Sequence, residues 1–126
     1  MYVVPIHIAQ SGIHGIGIFA SRPISKGEVV WKFDPAVDRE FTAEEIEASP
    51  PRVRLFLETF AYSEDNKRFV LCCDGGMFCN HSSNANTTTG PDDPQNTMIA
   101  SREIMAGEEI LSNYDEFDIT PRLFSI

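Results

Sequence analysis

One nine-residue pattern occurs twice in this chain. Ala20-Ser21-Arg22-Pro23-Ile24-Ser25-Lys26-Gly27-Glu28 is matched 80 positions later by Ala100-Ser101-Arg102-Glu103-Ile104-Met105-Ala106-Gly107-Glu108. Each copy runs from an apolar strand end through Arg and Ile to a Gly-Glu turn. Two copies are too few for a solenoid, which needs about three or more. They predict two similar β-turn-β corners inside one fold; the alternative is coincidence between two ordinary turns. The apolar runs between these corners are short and broken by Gly and Pro, and none approaches the roughly 18–20 residues of a membrane span. With 126 residues, 42% hydrophobic and 23% charged, the chain is expected to form a single globular domain over residues 1–126.

The rest of the sequence fills in a mainly β pattern. Val3-Val4-Pro5-Ile6-His7-Ile8 reads as a strand, with Pro5 favouring an edge position. Gly12, Gly15 and Gly17 interleave with Ile13, Ile16, Ile18 and Phe19, a tight backbone feature followed by a strand. Further strands are predicted at Glu28–Phe33 and Arg68–Cys73, and Met98–Ala100 and Glu109–Leu111 bracket the last turn. Two short helices interrupt this order. Thr42 and Glu45 form a capping box for the first, and Pro50-Pro51 ends it, with Pro51 opening the second. In that second helix Val53, Leu55, Phe56, Leu57 and Phe60 form an apolar stripe expected to be core.

Composition narrows the function classes. Ten basic residues stand against 19 acidic ones, a net charge of −9. Such a surface repels phosphate backbones and favours basic partners, so direct nucleic-acid binding is not expected, nor is membrane association. Three cysteines and an N-terminus without a signal-peptide pattern point to reduced thiols and a cytoplasmic location.

Three segments carry possible chemistry. His14-Gly15-Ile16-Gly17-Ile18-Phe19 lacks the third glycine of a dinucleotide fingerprint, and Ser21-Arg22-Pro23 does not propagate the helix that motif requires. What remains is backbone that a ligand can approach closely. Phe78-Cys79-Asn80-His81-Ser82-Ser83-Asn84-Ala85-Asn86 is a polar, structured loop. A metal site would have to gather Cys72, Cys73, Cys79 and His81. Adjacent Cys72 and Cys73 on a strand face opposite ways, so no metal is expected. A Cys79–His81 nucleophile pair lacks an orienting third group. Last, Gly107-Glu108-Glu109-Ile110-Leu111-Ser112-Asn113-Tyr114-Asp115 places a tyrosine at the end of a strand.

Taken together and in this order, the Gly-Ile-Gly-Ile-Phe-Ala segment, Asn80-His81-Ser82 with Asn86, and Gly107-Glu108-Glu109 leading to Tyr114 resemble the SET-domain protein lysine methyltransferases. The two glycine corners resemble that family's as well. The resemblance spans about Gly12 to Phe117. It implies a β-clip fold of several small curved sheets, one or two short helices and a C-terminal segment threaded beneath a loop. It implies S-adenosylmethionine as cofactor, held by Gly15, Ile16 and Gly17 and by the backbone of Asn80 and His81. The His81 ring is then expected to fix the loop rather than to bind metal or act as a base.

Tyr114 falls at the family's catalytic tyrosine, and Tyr62 and Phe117 are candidate channel aromatics. A lysine amine must lose its proton before it attacks a sulfonium methyl. A phenol, ionising near pH ~10, is a poor base at neutral pH, so Tyr114 is assigned orientation of the amine. The implied substrate is a lysine-bearing basic protein or peptide, such as a histone tail, with nuclear location if the target is chromatin. The rival reading is a catalytically inactive SET-like module that binds basic peptides.

The sequence departs from the family at Ala85, where many relatives carry proline, and in lacking a cysteine-rich zinc segment after Tyr114. Either Phe117, Leu123 and Phe124 form a minimal lid, or a second subunit, as in a homodimer, supplies one.

Overall fold

A computed structural model describes residues 1–118. Along these residues run β1 (Ile6–Gln10), β2 (Ile16–Ala20), β3 (Val29–Lys32), β4 (Arg39–Thr42), α1 (Ala43–Glu47), α2 (Pro51–Phe60), β5 (Arg68–Leu71), β6 (Asn80–His81), β7 (Thr87–Thr89), β8 (Thr97–Ala100) and β9 (Glu109–Ser112). The expected mainly β architecture, several small sheets with two short helices, is what the chain adopts. One sheet has the order β1-β2-β9-β6, a second β3-β8-β7, and β4 pairs with β5. β1 is indeed an edge strand, with Pro5 immediately before it, and pairs with β2 from Ile6↔Ala20 to Gln10↔Ile16.

The repeated corners resolve into a matched pair. Ile24 and Ile104 form an antiparallel bridge with each other, Ile24 N–H to Ile104 O at 2.8 Å and Ile104 N–H to Ile24 O at 2.9 Å. The relation is reciprocal along the whole pattern: Gly27 N–H donates to Ala100 O at 2.7 Å, and Gly107 N–H to Ala20 O at 2.8 Å. Each corner closes in the same way, Arg22 on Glu28 at 2.6 Å and Arg102 on Glu108 at 2.7 Å. Gly27 and Gly107 share a left-handed φ of 85° and 83°. Coincidence is thereby excluded, because equivalent residues occupy equivalent positions about a local pseudo-twofold.

The main core lies between the two larger sheets. Ile18, Ile24, Ile104 and Ile110 are fully buried there, with Ala20, Val30 and Ala100 beside them. Each such isoleucine contributes about 1.5–3 kcal/mol by leaving water. A smaller core joins Ile46 of α1, Leu57 of α2 and Leu71 of β5. As the sequence predicts, Thr42 caps α1, its hydroxyl accepting the Glu45 N–H at 3.2 Å, and Pro51 opens α2.

Two expectations need correction. The apolar stripe of α2 is not all core: Leu57 is buried and Val53 packs beside it, but Leu55, Phe56 and Phe60 are 59%, 43% and 36% exposed. A ten-residue helix lying on a small core presents one narrow face to it; positions 53 and 57 share that face, while 55 and 56 point elsewhere. Strand β5 ends at Leu71 rather than Cys73. Cys72, half-buried, and Cys73, exposed, therefore lie beyond the strand rather than within it. The C-terminal passage beyond Asp118, with Leu123 and Phe124 of the lid expectation, lies outside the described residues.

Candidate active site

Strand β9 decides what meets what. It lies antiparallel to β2 through Ile18↔Ile110 and parallel to β6 through Asn80↔Leu111 and His81↔Ser112. Residues some 90 and 30 positions apart in sequence are thus neighbours. The strand is held in place by Asn86, fully buried, whose Oδ1 accepts the Leu111 N–H at 2.8 Å and whose Nδ2 donates to Glu109 O at 2.8 Å. Beyond β9 a single 3₁₀ turn, Tyr114–Glu116, directs Tyr114 back towards β6.

A cleft of about 710 Å³ opens where these segments converge. Gly15 and Ile16, with His14, form one wall, and Asn80, His81 and Tyr114 another. Tyr62, Phe117 and Asp118 flank the mouth together with Glu58, Phe60 and Glu64. The inner end is lined by Tyr2, Val30, Trp31, Cys72, Cys79 and Met98. Of the residues assigned to the site from sequence, Gly15, Ile16, Asn80, His81, Tyr62, Tyr114 and Phe117 all line this cleft. Gly17 does not. It is buried beneath the wall, where a Cβ would lie 2.3 Å from Glu109 Oε2, so close packing requires a glycine there.

The hydrogen bonds give each polar side chain a task. The Tyr114 hydroxyl donates to the Cys79 carbonyl oxygen. The Tyr114 N–H donates to His81 Nδ1 at 3.1 Å, and the two rings lie 5.2 Å apart. The His81 ring is therefore a fastening for the tyrosine segment. Phe117 meets Tyr114 and Tyr62 edge-on, at 5.9 Å and 5.2 Å between centroids, which makes a continuous aromatic wall. The Asn80 amide shares its two hydrogens among His14 O, Ile16 O and Glu109 Oε2, at 3.0, 3.1 and 2.9 Å. That side chain ties the glycine loop to β6.

Electrostatics favour a cationic ligand. The carboxylates of Glu58, Glu64 and Asp118 line the cleft, and no Lys or Arg does among the described residues. Burial at the mouth raises the Glu64 carboxyl above its ordinary range, with Arg68 opposing and Asp65 adding to the rise. Burial likewise pushes the Tyr2 and Tyr62 phenols and the Cys72 and Cys79 thiols upward, so these groups stay neutral at physiological pH. A neutral, buried Cys79 is no nucleophile. No group of three or more His, Cys, Asp or Glu is placed to hold a metal ion among the described residues.

A family model for the SET domain matches residues 15–115. The chain belongs to the SET-domain family. Solved SET structures share its architecture. A Plasmodium falciparum protein assigned as a histone methyltransferase is 24% identical, with a TM-score of 0.61 over 88% of this chain and 93% of that one. The Polycomb Repressive Complex 2 of Chaetomium thermophilum in an autoinhibited conformation, bound to S-adenosylmethionine, is 20% identical, with a TM-score of 0.66 over 90% of this chain. The same complex with trimethylated histone H3 is 16% identical, with a TM-score of 0.65 over 88% of this chain. This SET domain corresponds to 16% and 14% of those fungal chains. No curated protein matches the sequence.

Several cleft residues carry no local sequence signal. Tyr2 and Trp31 reach the inner end because residue 2 bridges to residue 31 outside any regular strand. Glu58 and Phe60 come from the last turn of α2 and Glu64 from the segment after it; Phe60 had an apolar-stripe signal that pointed to core, and the two glutamates had none. Phe78 stands two residues before Asn80 at the start of the polar segment, and its apolar side chain there is the one signal of a cleft position.

Proposed function

We propose that this SET domain transfers a methyl group from S-adenosylmethionine to a lysine side chain of a basic protein. The observation that carries this reading is the convergence of the Gly15–Ile16 loop, Asn80–His81 and Tyr114 on one cleft that Glu58, Glu64 and Asp118 line and that, among the described residues, no Lys or Arg lines. S-adenosylmethionine, when bound, supplies a sulfonium methyl group open to in-line attack by an amine. The residues present suit such a cation: exposed backbone at Gly15 and Ile16 admits close approach, and carboxylates rather than cations surround the space. Gly15, Ile16 and the backbone of Asn80 and His81 would hold it.

Tyr114 then works by orientation. With its proton given to the Cys79 carbonyl, its oxygen faces an incoming amine as an acceptor. Holding the amine along one line supplies the proximity that catalysis requires. The aromatic wall of Tyr62, Tyr114 and Phe117 excludes water from the amine, and a dry channel favours its neutral form. The P. falciparum and fungal proteins named above are described with histone terms, which supports a histone-like substrate and action on chromatin in the nucleus. Among the described residues no helix is long and apolar enough to cross a membrane.

The test combines binding with turnover. Calorimetry with S-adenosylhomocysteine should give micromolar affinity, and labelled S-adenosylmethionine should deliver its methyl group to lysines of a basic protein. Tyr114→Phe should lower turnover about a hundredfold with cofactor binding and melting temperature retained. Binding of basic peptide without any methyl transfer would instead identify the inactive peptide-binding module.

A further inference from the structure

The loop that forms one wall of the cleft has almost nothing to pack against. Residues 12–16 are exposed without exception, so hydrophobic burial does not fix their position. Polar contacts do. The Ser11 N–H donates to Gly15 O at 2.8 Å. The Ser11 hydroxyl oxygen accepts the N–H groups of Ile13 and His14 at 2.9 and 3.2 Å. Its proton goes to the Glu109 carboxylate, at 2.7 and 3.0 Å from the two oxygens. The same carboxylate accepts from Asn80 Nδ2 at 2.9 Å, and Asn80 in turn holds the carbonyls of His14 and Ile16. Glu109 sits on β9, outside the cleft lining, beneath a Gly17 that leaves its carboxylate just enough room.

We propose that Glu109 is a positioning residue. Its carboxylate, through Ser11 and Asn80, sets the height and angle of the 12–16 loop and so the affinity of the cleft for its cofactor. This inference rests on reading that cleft as the S-adenosylmethionine site. A carboxylate suits the position because it is acceptor-only: it receives a hydroxyl and an amide at once, and a charged acceptor strengthens both bonds. Glutamine cannot accept from both on the same terms, since half of its head group is a donor. Gly17→Ala acts on the same group from the other side, by pushing Glu109 out of its seat. Ser11→Ala removes the link itself, and Ser11→Thr keeps the hydroxyl.

The experiment has a ligand-free arm and a binding arm. In the free protein, hydrogen exchange at the Ile13 and His14 amides should speed up about tenfold or more in Glu109→Gln, Gly17→Ala and Ser11→Ala, but not in Ser11→Thr. With S-adenosylhomocysteine, calorimetry should show Kd rising about tenfold in the first three variants, with Ser11→Thr near wild type. KM for S-adenosylmethionine should rise with Kd, while kcat at saturation changes less than about twofold. Melting temperature separates these effects from unfolding. Unaltered loop exchange in Glu109→Gln and Ser11→Ala overturns the latch. So does a wild type that binds S-adenosylhomocysteine no better than these variants do. Failure of folded wild type to bind at all overturns the methyltransferase reading instead, and the positioning role with it.

Discussion

Asn86 illustrates what a single side chain does here. It is fully buried, yet both ends of its amide are used, on the Leu111 N–H, the Glu109 carbonyl and Glu108 Oε2. A buried polar group left without a partner costs about 1–3 kcal/mol. Asn86→Leu abandons two backbone groups of β9 at once, so a loss of about 3 kcal/mol or more is expected. Urea denaturation should show it as a lower midpoint at constant slope. Residue scale is also where the thiols are settled. Burial holds Cys72 and Cys79 neutral, whereas Cys73 is exposed.

At the scale of elements, the paired corners carry a pH signature. Hydrogen bonds from Arg22 and from the Ser25 N–H hold the Glu28 carboxyl below its ordinary range. At Glu108 burial pushes upward, but the Met105 N–H, Arg102 and Asn86 outweigh it, and the net shift is again downward. A carboxyl whose folded pKa is depressed contributes stability that is present above its unfolded value, near ~4.3, and is lost as pH falls through the folded value. The double variant Glu28→Gln/Glu108→Gln should therefore melt lower than wild type at pH 7. The two melting curves should converge as pH falls through the depressed folded values. Parallel curves over that range would mean the corners do not depend on these charges. Helix α2 is a different kind of element: Phe56, Phe60 and Phe78 form a chain of ring contacts running from an exposed face to the cleft mouth.

For the whole molecule, the charge distribution matters most. A net charge of −9, with three carboxylates at the cleft, creates a field that favours the approach of cations. Such attraction is screened by salt over about 8–10 Å at physiological ionic strength. Affinity for a lysine-rich peptide, read by fluorescence anisotropy, should fall about tenfold between roughly 0.05 and 0.5 M salt. S-adenosylhomocysteine, which lacks the sulfonium charge, should bind with little change over the same range.

Much of the architecture could be read from the residues. The corner turns, the Thr42 cap and the Pro51 helix start all rest on interactions within a few residues, and the chain itself supplies them. The candidate site was legible as three segments because each has unusual local chemistry: close-spaced glycines, an Asn-His pair, a tyrosine ending a strand. The features that local sequence does not show are of one sort. Exposure of Leu55 and Phe56 depends on how small the core beneath α2 is, and the end of β5 depends on where its antiparallel partner β4 begins, at Arg39. Neither is a property of the local sequence.

The sequence alone determined the turns, caps and strand order of alternation, since backbone conformation answers to sterics and hydrogen bonds among near neighbours. Tertiary structure alone decided that β9 lies between β2 and β6, and with it that Ser11, Asn80 and Glu109 share one carboxylate-centred network. Those three residues are nearly a hundred positions apart at the extremes, and nothing but the stacking of strands brings their polar atoms within 3 Å.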